Sequence, residues 1–193
     1  MADGSDGGAA VPKRLLLGVS GSIALLALPS YLYAFRAAGV EQIAAVFTRT
    51  AERMLPAAGM RAICEGVYTE DEHGRGHVAL GRWADRMLVL PATAHTLGCL
   101  AGGLAPNLLC SVALAAECPA VLVPAMNPAM WRKAAVRRNV ARLREDGYDV
   151  VDPLPGTTYE VATHSLVQGL APPPPEEILR RLSPGPAGVR EAG

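Results

Sequence analysis

The chain has 193 residues, half of them hydrophobic, with 18 basic and 18 acidic side chains. That length suits one domain with a substantial core, and zero net charge gives no ground for a nucleic acid or an anionic membrane as partner. Near-neutrality does little to oppose self-association. Residues 1–12 are rich in Gly, Ala and Asp and read as a disordered leader, without the order of a secretory signal. The apolar stretch from Leu15 to Ala38 is broken by Gly18, Ser20, Gly21, Ser22, Pro29 and Arg36, which argues against a membrane span. Cys64, Cys99, Cys110 and Cys118 lack C-x-x-C spacing and read as reduced core residues of a cytoplasmic protein. His73, His77, His95 and His164 lack ligand spacing as well, so no metal is expected.

In chain order, Arg14 to Val19 is a compact apolar run, followed by Ser20-Gly21-Ser22-Ile23 and a helical stretch to about Ala38. A strand, a small-residue turn and a helix form the arrangement that presents free N–H groups and a helix dipole to an anion. Ser20 and Ser22 can add hydroxyl donors; a simply capped helix start is the alternative. The dinucleotide pattern G-x-G-x-x-G is absent, because Gly18 and Gly21 are three apart and no third glycine follows. Gln42 to Phe47 is the next strand, ending at Thr48-Arg49-Thr50, whose hydroxyls and cation suit the same phosphate unless Thr48 merely caps a helix and Arg49 is solvated. Residues 56–76 read as irregular, with a polar surface loop from Glu65 to Gly76. His77 to Asp85 opens a short helix or turn. Arg86 to Leu90 is a strand ending at Pro91-Ala92-Thr93-Ala94-His95-Thr96. Three strand ends decorated with small and hydroxylated residues point to a nucleotide-like ligand across the carboxyl edge of a sheet.

Thr96 to Gly102 reads as a helix, and Leu108 to Glu117 as a helix too apolar to face water, either central or in a subunit interface. Pro119 to Val123 is a buried strand that runs into Pro124-Ala-Met-Asn-Pro-Ala-Met-Trp131. Asn127 then stands just outside a strand's carboxyl end, where its amide can grip a carboxylate or an amide. Met130 and Trp131 can close over a planar or apolar group; a cap and two core residues is the alternative reading. Lys133 to Glu145 is a basic amphipathic helix, Tyr148 to Asp152 a last strand, and 153–175 loop-like. Glu176 to Leu182 is a short closing helix, and the tail from Ser183 is Pro/Gly/Ala-rich and read as disordered. Alternating strands and helices imply an α/β, doubly wound Rossmann-like fold, with a mostly parallel sheet covered on both faces.

Four segments together resemble the homo-oligomeric flavin-containing cysteine decarboxylases: Gly18 to Ala24, His77 to Asp85, Pro91 to Thr96 with Gly102 to Leu109, and Pro124 to Trp131. That family includes peptidyl-cysteine decarboxylases of the epidermin type and phosphopantothenoylcysteine decarboxylase. The resemblance implies a flavin, FMN or possibly FAD in size, at a subunit interface of a trimer that assembles further into a dodecamer in some members. It implies a flavin-binding decarboxylase domain over 13–182. Ser20, Gly21, Ser22, Ile23, Thr48 and Thr50 would surround the phosphate and ribityl chain, with Thr93, Ala94, His95, Thr96, Asn107 and Met126 nearby. His77 would be the catalytic base. Asn127, Met130 and Trp131 would recognise substrate, with Tyr159 on a clamp over 153–175.

The chemistry suits these residue types. A base takes the S–H proton of a C-terminal cysteine as hydride leaves Cβ for the flavin, and the resulting thioaldehyde sheds CO₂ because sulfur accepts the electrons. Two departures from the family pattern concern the flavin contacts: His95 stands where an Asn is usual, and Pro106 where an Asp is usual. A third bears on the product. The phosphopantothenoylcysteine branch carries a cysteine in its late flap, and 153–174 contains none here. The expected activity is therefore oxidative decarboxylation of the C-terminal cysteine of a ribosomally made precursor peptide. Its product would be an enethiol, fit for aminovinyl-cysteine ring formation. Phosphopantothenoylcysteine decarboxylation and a non-catalytic flavin-binding regulator are the alternatives.

Overall fold

The computed structural model describes residues 11–72 and 76–183. Six parallel strands, β1 (Arg14–Val19), β2 (Gln42–Phe47), β3 (Gly66–Tyr68), β4 (Arg86–Ala92), β5 (Ala120–Pro124) and β6 (Asp149–Val150), pair in the order β3-β2-β1-β4-β5-β6. Nine helices accompany them among the described residues: α1 (Leu28–Ala37), α2 (Arg49–Met54), α3 (Ala57–Met60), α4 (His77–Trp83), α5 (Ala94–Ala101), α6 (Leu108–Ala115), α7 (Pro128–Trp131), α8 (Ala134–Glu145) and α9 (Pro175–Leu182). This is the doubly wound order in which the chain reverses its direction of travel between β1 and β4.

Strands buried on both faces read as continuous apolar runs, and their alternation decides which layer each side chain joins. Leu15, Leu17 and Val19 of β1 pack with Ile43, Ala45 and Phe47 of β2 under α1 and α9, where Leu32, Phe35, Ile178 and Leu182 are fully buried. Leu16 of β1 and Val46 of β2 face the other way, with Met87, Val89 and Leu122, against α4, α5, α6 and α8. Large aliphatic and aromatic side chains buried in this way contribute about 1.5–3 kcal/mol each relative to exposure. Cys64, Cys99 and Cys110 are buried within these layers and all four cysteines are free thiols. Burial pushes the Cys64 thiol up to about 11 and the Cys110 thiol up to about 12, so both are protonated packing residues at neutral pH. Of the apolar helix α6, Leu108, Leu109, Cys110, Val112 and Ala113 are buried within the chain, while Leu114 is exposed.

At the amino edge of the sheet, Asp85 joins β1 to β4. It accepts the Arg14 backbone N–H at 2.8 Å, and the Arg14 guanidinium at 2.7 Å. The hydrogen bond and charge of Arg14 hold the Asp85 carboxyl below its usual range. A lowered folded-state value means the contribution is complete above the unfolded carboxylate value, about 4, and is lost as pH falls through the folded one. Asp85→Asn is therefore expected to lower Tm at pH 7. In a Tm-against-pH series the gap to the parent protein should close below about pH 4; a gap independent of pH would refute the assignment.

Three expectations need correction. The segment 65–76, read as a loop, contributes the edge strand β3 and a 3-10 turn at Glu70–Glu72. The segment 153–175 is largely a β-hairpin, β7 (Leu154–Glu160) and β8 (Ser165–Ala171), antiparallel and separate from the main sheet. The helix after β1 begins as a 3-10 turn over Ile23–Ala27. The disordered leader and tail fall on residues 1–10 and 184–193, outside the described residues. Val11, assigned to that leader, packs against the core. Among the described residues no helix is long and apolar enough to cross a membrane.

Candidate active site

The carboxyl ends of β1 and β4 diverge where the strand order reverses, and Ser20 spans the gap. Its side chain is 2 % exposed; the hydroxyl donates to the Pro91 carbonyl at 2.7 Å and accepts from the Thr93 N–H at 3.0 Å. Both functions of this hydroxyl are thus used in joining two strand ends. Next to it, Gly21 packs on the first turn of α2, which follows β2. A Cβ at Gly21 would lie 2.3 Å from Thr50 Cγ2 and 2.7 Å from Thr50 Cβ, so only glycine lets the two segments close. The Ser22 side chain makes no capping hydrogen bond and remains available.

These segments line a cleft of about 650 Å³. Ser20, Gly21, Ser22, Thr48, Arg49 and Thr50 form one side, and Thr93, Ala94, His95, Thr96, Asn107 and Met126 another. Thr48, Thr93 and Asn107 each cap a helix, accepting from the N–H of Ala51, Thr96 and Cys110. Asn107 does so through Oδ1, which leaves its amide hydrogens for a ligand. Arg49 lines the cleft and has no ion pair or hydrogen bond among the described residues. A glycine cradle, free hydroxyls and an unpaired guanidinium fit a phosphate monoester. The remaining wall, from Thr93 to Thr96 and from Ala125 to Met130, leaves room for a planar ring system. His95 lines this wall with Nε2 3.6 Å from Cys99 Sγ.

A second cleft, of about 690 Å³, lies under the hairpin. Ile23, Ala24, Ala27 and Tyr31 supply one wall, Asn127, Pro128, Ala129 and Arg132 another, and Thr157 to Val161 of the hairpin the cover. Tyr31 anchors that cover at its base, donating to the Pro173 carbonyl at 2.8 Å. Burial, with Glu176 nearby, raises the Tyr31 phenol and keeps it a donor. At the tip, Tyr159 and His164 Nδ1 are 3.3 Å apart and Glu160 accepts from Thr163, while Val161 and Leu166 stay exposed. Ser22, Ala125 and Met126 line both clefts, so the two spaces adjoin along these residues.

The structure brings most of the sequence-derived site residues to these two spaces. Ile23, Asn127 and Tyr159 face the hairpin cleft, and Met130 the first one. Asn127 caps α7 through Oδ1, 2.7 Å from the Ala129 N–H, again leaving its amide hydrogens free. Trp131 lines neither space. About 100° around the helix from Met130, it is buried in the core with Val140 and Leu143, and the Arg137 guanidinium lies 5.0 Å over its ring. His77 also lines neither cleft of its own chain. It opens α4, and its Nδ1 is buried with no hydrogen-bond partner. Glu70 of the first cleft, and Tyr31 and Arg132 of the second, were not legible as site residues. Of these only Arg132, beside the Asn127 motif, carried a positional signal.

Comparison with known proteins agrees with this geometry. A family model described as Flavoprotein matches residues 5–170. The chain is 38% identical over 176 residues to mersacidin decarboxylase of Bacillus sp. (strain HIL-Y85/54728), covering 90% of each. It is similar to the crystal structure of SpaF, an FMN-dependent cysteine decarboxylase, with 40% identity, a TM-score of 0.71, and 84% and 90% of the two chains covered. It is 31% identical over 150 residues to the coenzyme A biosynthesis bifunctional protein of Vibrio vulnificus (strain YJ016), and spans only 37% of that protein's length. A cradle fit for a phosphate, space for a planar ring beside it, and two relatives each matched along 90% of their length lead to one assignment: the chain belongs to the flavoprotein family, in its branch of flavin-containing cysteine decarboxylases.

Proposed function

We propose that the protein oxidatively decarboxylates the C-terminal cysteine of a ribosomally made precursor peptide, leaving an aminoenethiol for aminovinyl-cysteine ring formation. The observation that carries this reading is the adjoining of a phosphate-and-ring cleft with a hairpin-covered cleft along Ser22, Ala125 and Met126. The Gly21 cradle, Arg49, the strand-end hydroxyls and the Asn107 amide would hold FMN, which would supply the acceptor for the hydride that leaves the cysteine Cβ. Asn127 donates its free amide hydrogens to the peptide carboxylate. A neutral donor orients that group without the strong ion pairing that would hold it as a carboxylate. The hairpin excludes water and fixes the peptide end, so that positioning supplies much of the rate. His77 takes the thiol proton. Because His77 lies outside both clefts of its own chain, the reading includes a homo-oligomer, a trimer at least, in which a second copy brings His77 to the flavin. Four free thiols and the absence of any long apolar helix among the described residues favour the cytoplasm as its place of action.

The test is mass spectrometry of the purified yellow protein with a short peptide ending in cysteine. Loss of CO₂ plus two hydrogens is the expected result. An unchanged peptide, together with loss of CO₂ alone from phosphopantothenoylcysteine, would move the protein to coenzyme A synthesis. The hairpin argues for the first outcome, since residues 154–171 hold no thiol to return the electrons.

A further inference from the structure

Arg132 lines the hairpin cleft and has no part in the flavin cleft. It is exposed, and no carboxylate or hydrogen-bond acceptor among the described residues engages its guanidinium. Of the arginines that follow it, Arg137 and Arg144 pair with Asp152 at 3.8 and 3.0 Å and Arg142 with Asp146 at 3.1 Å, while Arg138, which has no such partner among the described residues, lines neither cleft. Among the described residues no other Lys or Arg lines this cleft, and Glu160, on the hairpin, is its one carboxylate, accepting from Thr163 at 2.8 Å. An unpaired guanidinium on such a wall is a receptor for a carboxylate.

The carboxylate it meets is not the one that leaves. That group belongs at the seam of the two clefts, beside Asn127, and a guanidinium there would stabilise the starting carboxylate against loss of CO₂. Arg132 lies five positions beyond Asn127 along a helical turn, about 7 Å at 1.5 Å per residue. An extended peptide covers that span in about two residues. We infer that Arg132 selects peptides with an Asp or Glu two or three residues before the C-terminal cysteine, an inference that rests on the peptide-decarboxylase function proposed above and specifies its substrate.

The experiment uses the flavin-loaded protein as purified and hexapeptides ending in cysteine. They differ only in Asp, Asn or Lys at the second and third positions before it. Binding is followed by calorimetry and turnover by mass spectrometry. The parent protein should bind the better-placed Asp peptide roughly tenfold more tightly than its Asn counterpart, with the advantage shrinking at high salt. Arg132→Glu should reverse the order and favour Lys, and Arg132→Gln should abolish the preference; flavin content confirms that both variants are assembled. Equal binding of the Asp and Asn peptides by the parent, or a preference that survives in Arg132→Glu, would overturn the inference. The two readings separate cleanly. Charge-dependent binding without turnover would leave Arg132 as the selector and remove the decarboxylase function, whereas equal turnover of all peptides would do the reverse.

Discussion

His77→Asn is expected to give a yellow, assembled protein that still binds a peptide ending in cysteine but turns it over about 100-fold more slowly or worse. Asn preserves the polarity of the position and, at the first residue of α4, is compatible with the helix start. What it removes is an imidazole placed to act as a general base. The cofactor cleft should survive, because none of its lining residues comes from α4. Visible absorbance, size-exclusion chromatography and turnover are the three readouts. Turnover within tenfold of the parent would mean that another group takes the thiol proton. The same variant reports on assembly. Mixed under exchange conditions with an Asn127→Ala variant, it should regain activity if base and carboxylate donor act from different copies. Two inactive proteins that remain inactive after verified subunit exchange would place both residues in one copy's site.

Gly81→Ala is expected to destabilise the protein by about 2 kcal/mol, against the direction that helix propensity alone would give. In an unobstructed helix interior, Ala for Gly stabilises by about 1 kcal/mol. Here a Cβ would sit 2.7 Å from the Ala115 carbonyl oxygen, 2.8 Å from its carbon and 3.0 Å from Ala116 Cα. Those are backbone atoms at the end of α6, so no rotamer change relieves the contact; α4 must move away from α6. Overpacking of this kind costs about 1–3 kcal/mol and occasionally more, which exceeds the propensity gain. Urea denaturation measures the difference. A variant as stable as the parent would mean that the two helices separate without loss. Because His77 lies one turn before Gly81 on the same helix, turnover should fall as well, while flavin content is retained.

The fold was largely legible because its strands are buried on both faces. Arg14–Val19, Gln42–Phe47 and Ala120–Pro124 are unbroken apolar runs bounded by polar or small residues, and such runs have few other places to go. The strand Gly66–Tyr68 was lost for the opposite reason: three residues carry no period, and a polar stretch follows them. The hairpin escaped because Pro155 and Gly156 look like breakers and because neither face packs deeply, which removes the alternation that marks a strand. At the site, the strand-end hydroxyls and Asn127 were candidates by position, with helix capping as the alternative, and only the family resemblance favoured a ligand-binding role. That capping bonds tie up Oδ1 of Asn127 and Asn107 was not settled by position, nor was the burial of Trp131, since adjacent residues on one helical turn face different ways. His77 was identified by its motif, and nothing in the chain's own sequence places it outside the cleft it is expected to serve.

The common floor of Ser22, Ala125 and Met126 has a thermodynamic meaning. In the function proposed above, flavin and peptide occupy spaces that share these lining residues, so a bound flavin ring would meet the peptide there and the peptide in turn would cover the ring. The two occupancies then form one linked equilibrium: by reciprocity, whatever factor the cofactor adds to peptide affinity the peptide adds to cofactor retention. A precursor held under the hairpin thereby acts as a lock on the prosthetic group. Release of the modified product loosens both together, so the resting protein between substrates is the form from which flavin is most readily lost.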